Sequence, residues 1–148
     1  MEAGSGKIWF RQGQSHNSRV WFNILSAVFR LTINSSFSAA HSLVIRGVAE
    51  PVHGHDWQVE AVVRGAKLDS DGLLCDFHEL EQTLAEIIDP FQTADLNSAT
   101  AFEGLNPSAE VVASYIAQKL SLSLPSGVDL ESLSVTEAPG CKATWSPS

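Results

Sequence analysis

An α+β domain, an antiparallel sheet with two helices on one face, is what this sequence predicts. Two segments alternate apolar and polar residues at the strand period, and two others repeat apolar residues at helical spacing. The order is strand, strand, helix, helix, strand, strand (ββααββ), which keeps the helices in one run instead of interleaving them with parallel strands.

The first strand is expected from about Val28 to Ser38, where Phe29, Leu31 and Ile33 are apolar and Arg30, Thr32 and Asn34 polar. In "DWQVEAVVRG", Trp57, Val59, Ala61 and Val63 share one face and Gln58, Glu60 and Arg64 the other, with Val62 the exception. That is a second strand over 56–65, ending at Gly65. "LDSDG" (Leu68 to Gly72) is a turn. Phe77 to Ile88 sets Leu80, Leu84, Ile87 and Ile88 at helical spacing, and Pro90 stops that helix. Proline and Glu110 early in Asn106 to Glu110 signal the start of a second helix carrying Val111, Val112, Tyr115, Ile116 and Leu120. Leu122 to Leu130 reads as a loop, and Leu133 to Thr136 and Lys142 to Trp145 as short strands around an Ala-Pro-Gly turn.

Residues 1–19 carry no pattern and are expected to form a loose extension to one domain over 20–148; their "GSGK" lacks the rest of a phosphate loop. A small sheet with open edges invites pairing with neighbouring subunits, so a ring-like homo-oligomer is expected. A net charge of −8 opposes a nucleic-acid partner. No apolar run approaches the roughly 20 residues needed to span a bilayer, and the first residues lack the order of a signal peptide, which predicts a cytoplasmic protein and no membrane partner. Two cysteines, Cys75 and Cys141, are too few for a disulfide framework and are expected to be reduced.

The chemistry concentrates in "EPVHGHDW", Glu50 to Trp57. In an extended strand residues i and i+2 point the same way, so His53 and His55 present two imidazoles side by side, with Gly54 keeping the opposite face open. His41 ends "SSFSAAH", where antiparallel pairing of the first two strands could bring it alongside. Three neutral imidazoles with an open fourth position is the composition of a catalytic zinc site. A His-x-His pair is also a common pattern on surface strands, and the spacing alone leaves both readings open. His16 and His78 have no such partners and read as structural or solvent-facing.

"FSAAHSL", "HGHDWQVEAVVRG", "GLLCDFHELEQTL", "NPSAEVVASYI" and "VTEAPGCKATW", in this order, resemble the 6-pyruvoyltetrahydropterin and 6-carboxytetrahydropterin synthase family from about Phe29 to Trp145. The resemblance implies a tunnel-like α+β fold (the T-fold), a hexamer, a small-molecule pterin substrate held between subunits, and zinc on His41, His53 and His55. It also implies that Glu137 holds the pterin ring, with Thr136 and Cys141 lining the same pocket. A carboxylate suits that role, because it can accept parallel hydrogen bonds from a ring amide N–H and an exocyclic amine.

Two family features are missing. The loop "SLVIRGVAEPV" lacks the catalytic cysteine, and Gln92 and Thr93 stand where an Asp-His pair is usual, leaving Asp89 or Asp95 as conceivable substitutes. Glu50, three residues before His53, stands where a replacement base is expected. A branch of the family with this Glu-x-x-His-Gly-His arrangement is associated with cutting the side chain of a 7,8-dihydroneopterin, free or as its triphosphate, to form 6-hydroxymethyl-7,8-dihydropterin. A glutamate, with a reference pKa of about 4.3, is ionised at neutral pH without a histidine's help. It can take a hydroxyl proton acidified by zinc more readily than a carbon-bound one, which favours retro-aldol cleavage. The alternatives are 6-pyruvoyl- or 6-carboxytetrahydropterin synthase activity, or a catalytically silent protein that binds pterin and zinc. Glu50 can equally be read as a plain loop carboxylate.

Overall fold

The protein is described by a computed structural model over residues 27–148; the extension expected at 1–19 lies outside these residues. Six strands and two α-helices follow one another as β1 (Phe29–His41), β2 (Val44–Ile45), β3 (Val48–Ala49), β4 (His53–Gly65), α1 (Phe77–Ile88), α2 (Ala109–Ser123), β5 (Asp129–Ala138) and β6 (Cys141–Trp145). Three short 3-10 turns fill the α1–α2 connection. β1, β4, β5 and β6 form one antiparallel sheet in the order β1-β4-β5-β6, and β2 and β3 form a separate hairpin. The α+β architecture and the element order are those the periodicity predicts, with the small hairpin added.

One face of the sheet makes the core. Ile33 and Phe37 of β1, Trp57, Val59, Ala61 and Val63 of β4, and Leu133 and Val135 of β5 are buried against Leu80, Leu84 and Ile88 of α1 and Val112, Ile116 and Leu120 of α2. Each buried Val, Leu, Ile or Phe among them contributes about 1.5–3 kcal/mol by leaving water. α1 packs over β1, and α2 over β5 and β6. Both helices start on side-chain caps: Asp76 accepts from the His78 amide, and Ser108 from that of Val111. No helix among the described residues is long and apolar enough to cross a membrane.

Several boundaries differ from expectation. β1 reaches His41 rather than Ser38, and β4 begins at His53 rather than Asp56, because the two pair without interruption from Phe29↔Gly65 to His41↔His53. The added residues are small or polar, so no hydrophobic alternation marks them; the partner strand holds them extended. β5 likewise begins at Asp129, and α2 runs to Ser123 although Leu122 is 86% exposed. The β2–β3 hairpin escapes the sequence because its strands have two residues each. Its loop, Arg46 and Gly47, takes positive φ at both positions (52° and 83°), as a tight hairpin turn requires.

Candidate metal centre

Side chains at every second residue of β1 and β4 face the helices, and the same parity continues to the end of both strands. His41, His53 and His55 therefore project from the core-facing side at one end of the sheet. Beneath them, Trp57 is fully buried, stacks on Phe37 at 5.8 Å and 3°, and donates its indole N–H to the Ala39 carbonyl at 3.2 Å. Its ring meets those of His41 and His55 edge-on, at 4.8 and 5.7 Å. This aromatic floor fixes the imidazoles from below.

His41 is fully buried, and its Nδ1 lies 2.9 Å from the carbonyl oxygen of Pro107, just before α2. A carbonyl only accepts, so Nδ1 carries the proton and Nε2 presents a lone pair. His53 repeats the arrangement with Nδ1 at 2.9 Å from the Pro51 carbonyl. The Nε2 atoms of His41 and His55 are buried and have no hydrogen-bond partner. One buried acceptor without a partner is unfavourable by about 1–3 kcal/mol, so two such ring nitrogens in one cluster favour a site that can take a cation.

Glu137 completes the group: each of His41, His53, His55 and Glu137 offers one ligand atom, all within 4.8 Å of one another. Its Oε1 is 3.2 Å from Nε2 of both His41 and His55. The route to this position is a register shift between β5 and β6 that leaves Glu137 as the extra residue between Thr136↔Lys142 and Ala138↔Cys141. Such a bulge re-aims a side chain. A divalent metal fits this donor set, three imidazoles with fixed tautomers or buried nitrogens and one carboxylate.

Glu50 lies between β3 and β4. Its amide donates to the Leu43 carbonyl, and its Oε1 accepts the Leu43 amide, both at 3.0 Å. The same oxygen is 3.9 Å from Nε2 of His53, and Oε2 has no partner among the described residues. The segment carrying it is clamped by two amide side chains that the sequence reading passed over. Asn97 brackets Ser42 through its amide (2.8 Å) and carbonyl (2.8 Å), and Asn106 does the same for Val44 at 3.0 and 2.8 Å.

The other candidates fall elsewhere. Thr136 pairs with Gln58 and Lys142 and takes no part in the cluster, and Cys141 is exposed at the start of β6. Gln92 and Thr93 lie along the free edge of β1: Gln92 Oε1 accepts the Ser38 amide at 3.2 Å, and the Thr93 amide donates to the Ser38 carbonyl at 2.7 Å. Asp95 caps a 3-10 turn by accepting from the Asn97 amide and the Ser98 hydroxyl. Asp89 opens another such turn. His78 is on α1 beside Asp76, at 3.2 Å.

The profile of the family described as 6-pyruvoyl tetrahydropterin synthase matches residues 30–148. The chain is 31% identical over 108 residues to the dihydroneopterin monophosphate aldolase of Pyrococcus furiosus, covering 73% of this chain and 89% of that protein. It is 37% identical over 65 residues, 44% of this chain and 56% of the relative, to an Archaeoglobus fulgidus protein provisionally assigned as a 6-carboxy-5,6,7,8-tetrahydropterin synthase. The Caenorhabditis elegans 6-pyruvoyl tetrahydropterin synthase superposes with a TM-score of 0.71 at 24% identity, over 82% of this chain and 97% of that one. The chain belongs to the 6-pyruvoyl tetrahydropterin synthase family, whose members process pterins.

Proposed function

We propose that the protein is a zinc-dependent pterin lyase that cleaves the side chain of 7,8-dihydroneopterin, free or phosphorylated, to 6-hydroxymethyl-7,8-dihydropterin. The observation that carries this reading is Glu50, a carboxylate whose Oε1 lies 3.9 Å from Nε2 of His53, in a loop without any cysteine. The likeness to an archaeal dihydroneopterin monophosphate aldolase supports it independently.

In this reading His41, His53 and His55 hold the metal, with Pro107 and Pro51 fixing two of their tautomers. Zinc there supplies Lewis-acid polarisation that lowers the pKa of a side-chain hydroxyl. Glu137 takes the ring amide and exocyclic amine of the pterin and so sets the distance from ring to base. Glu50, anchored through Oε1, takes the C2′ hydroxyl proton on its other oxygen, Oε2. C2′=O forms, the C1′–C2′ bond breaks, and the electron pair passes into the C6=N5 imine of the ring. The protonated Glu50 then returns its proton to C1′, leaving the 6-hydroxymethyl product and a two-carbon aldehyde. The active form is a homo-oligomer, a hexamer by family resemblance.

Zinc-loaded protein incubated with 7,8-dihydroneopterin, its monophosphate and its triphosphate, with products identified by mass, tests this. 6-Hydroxymethyl-7,8-dihydropterin with a two-carbon aldehyde, bare or phosphorylated, is the expected outcome. A 6-pyruvoyl or 6-carboxy product would replace the aldolase reading with the synthase one, which the Archaeoglobus fulgidus relative favours. Tight pterin binding with no turnover would identify a silent binder.

A further inference from the structure

Leu43 and Glu50 stand next in the register that pairs Val44 with Ala49 and Ile45 with Val48. Half of the expected bonding is present, since the Glu50 amide donates to the Leu43 carbonyl at 3.0 Å. The other half is replaced: the Leu43 amide donates to Oε1 of the Glu50 side chain, also at 3.0 Å, where a regular hairpin would offer a main-chain carbonyl. The direction of the carboxylate therefore depends on how firmly Leu43 is held. Its neighbours are held from the opposite side, because successive residues of an extended chain turn their N–H and C=O groups to alternate edges. Asn97, in the 3-10 turn Leu96–Ser98, accepts the Ser42 amide and donates to the Ser42 carbonyl, both at 2.8 Å. Asn106 accepts the Val44 amide at 3.0 Å and donates to the Val44 carbonyl at 2.8 Å. The two side chains imitate a strand running beside residues 42–44.

Both asparagines are exposed, so the core does not require them, and water could satisfy the same main-chain groups. Water would not hold those groups in one direction. The stretch that carries Asn106 also reaches the histidines: the next residue, Pro107, accepts from Nδ1 of His41 at 2.9 Å, and Ser42 follows His41 in the chain. We infer that Asn97 and Asn106 are positioning residues that fix the Glu50 carboxylate relative to the histidine cluster, acting through Ser42, Leu43 and Val44. The inference rests on the reading of Glu50 as the base and adds to it the groups that aim it. One oxygen stays tied to Leu43, and the other meets the substrate hydroxyl at a distance set by the connection between α1 and α2. A shift of about 1 Å in a positioned group can cost on the order of 100-fold in rate, which is why two solvent-exposed amides matter to the reaction.

A double-mutant cycle on turnover separates this role from a merely structural one, using the zinc-loaded full chain and 7,8-dihydroneopterin. Asn97→Ala together with Asn106→Ala should lower kcat by roughly 10- to 100-fold while KM and zinc content stay at the parent's values. In a Glu50→Gln background the same two changes should alter kcat by less than about 2-fold, because the base they aim is already gone. Asn97→Ala alone and Asn106→Ala alone should each show part of the loss, so a folding failure of the combined variant leaves the cycle to the single ones. An equal loss in both backgrounds, a loss of zinc alongside turnover, or parent-like turnover in the asparagine variants would overturn the inference and leave the proposed function standing. Parent-like turnover in Glu50→Gln would instead remove Glu50 as the base and the inference with it, and a parent without turnover would sink both readings.

Discussion

His41 and His53 face each other directly across the β1–β4 ladder, with ring centroids 4.7 Å apart. The next pair of the same parity, Ala39↔His55, puts a small side chain opposite the third imidazole and leaves room for His55 to turn toward the other two. The histidine cluster is thus a property of strand register. A slip of one residue would send His53 and His55 to opposite sides from His41.

The first prediction follows from that register. His41→Ala, His53→Ala and His55→Ala should each lose most bound zinc, measured by metal analysis after dialysis. Chelator treatment of the parent should lower its melting temperature. At free metal about 100 times the dissociation constant, the lost linkage amounts to about 2.7 kcal/mol. Full zinc occupancy in any of the three variants would remove that histidine from the ligand set.

A second prediction concerns Glu50. Gln at this position can still accept the Leu43 amide through its carbonyl oxygen, so the loop should keep its shape while the base is lost. Turnover should fall by roughly 10²- to 10⁴-fold with zinc content and pterin affinity nearly unchanged. Parent-like turnover would place the base elsewhere. Asp95 would be a poor replacement, because both its oxygens already serve the 3-10 turn, one to Asn97 and one to Ser98.

Helices were legible because burying Leu80, Leu84 and Ile88 requires the spacing that the sequence displays. His53 and His55 were legible as neighbours because parity along one strand is a local rule, whereas His41 joined them only through the resemblance of the motifs to a known family. What escaped depends on contacts distant in the chain. Glu137 joins the histidines through a bulge fixed by β6, and no local pattern announces which residue of a strand will be the extra one. Asn97 and Asn106 look like ordinary loop residues until Ser42 and Val44 lie beside them, 55 and 62 positions away in the sequence. Thr136, adjacent to Glu137 in sequence, pairs with the exposed Gln58, a separation that one residue of strand alternation is enough to produce.

Assembly can be tested at the site's own rim. Val44, Ile45, Val48 and Val52 are all more than half exposed on and beside the β2–β3 hairpin, which leads into the strand carrying His53 and His55. An oligomer that covers them should appear by light scattering, and Val48→Glu should shift the protein toward smaller species. A fully active monomer would contradict the shared-site reading.

Asp76 provides a pH signature independent of the metal. Its carboxyl is held below the usual aspartate value of about 3.9, chiefly by the His78 backbone amide and secondarily by the His78 side chain. A depressed folded value means the stabilisation is present above that usual value and disappears as pH falls through the lower folded one. The melting temperature of Asp76→Ala should therefore lie below the parent's at pH 6, and the gap should close as pH falls through the lowered folded value. A gap that persists in acid would assign the effect to packing, not to the charged cap.

The last prediction concerns Gly65, where β4 ends. A Cβ built there would lie 2.5 Å from Leu74 Cδ1 and 2.6 Å from the Gly127 carbonyl oxygen. Leu74 could rotate aside, but Gly127 has φ of +85° and belongs to the turn leading into β5, so its carbonyl is fixed by backbone geometry. Gly65→Ala should destabilise the protein by about 1–3 kcal/mol, the usual scale of overpacking, measured by denaturant midpoint at unchanged m-value. Because Gly65 pairs with Phe29 at the opposite end of the ladder from His41↔His53, zinc stoichiometry should survive while stability falls. Loss of both together would mean that the ladder transmits the distortion along its whole length, and that the metal centre depends on the far end of the sheet.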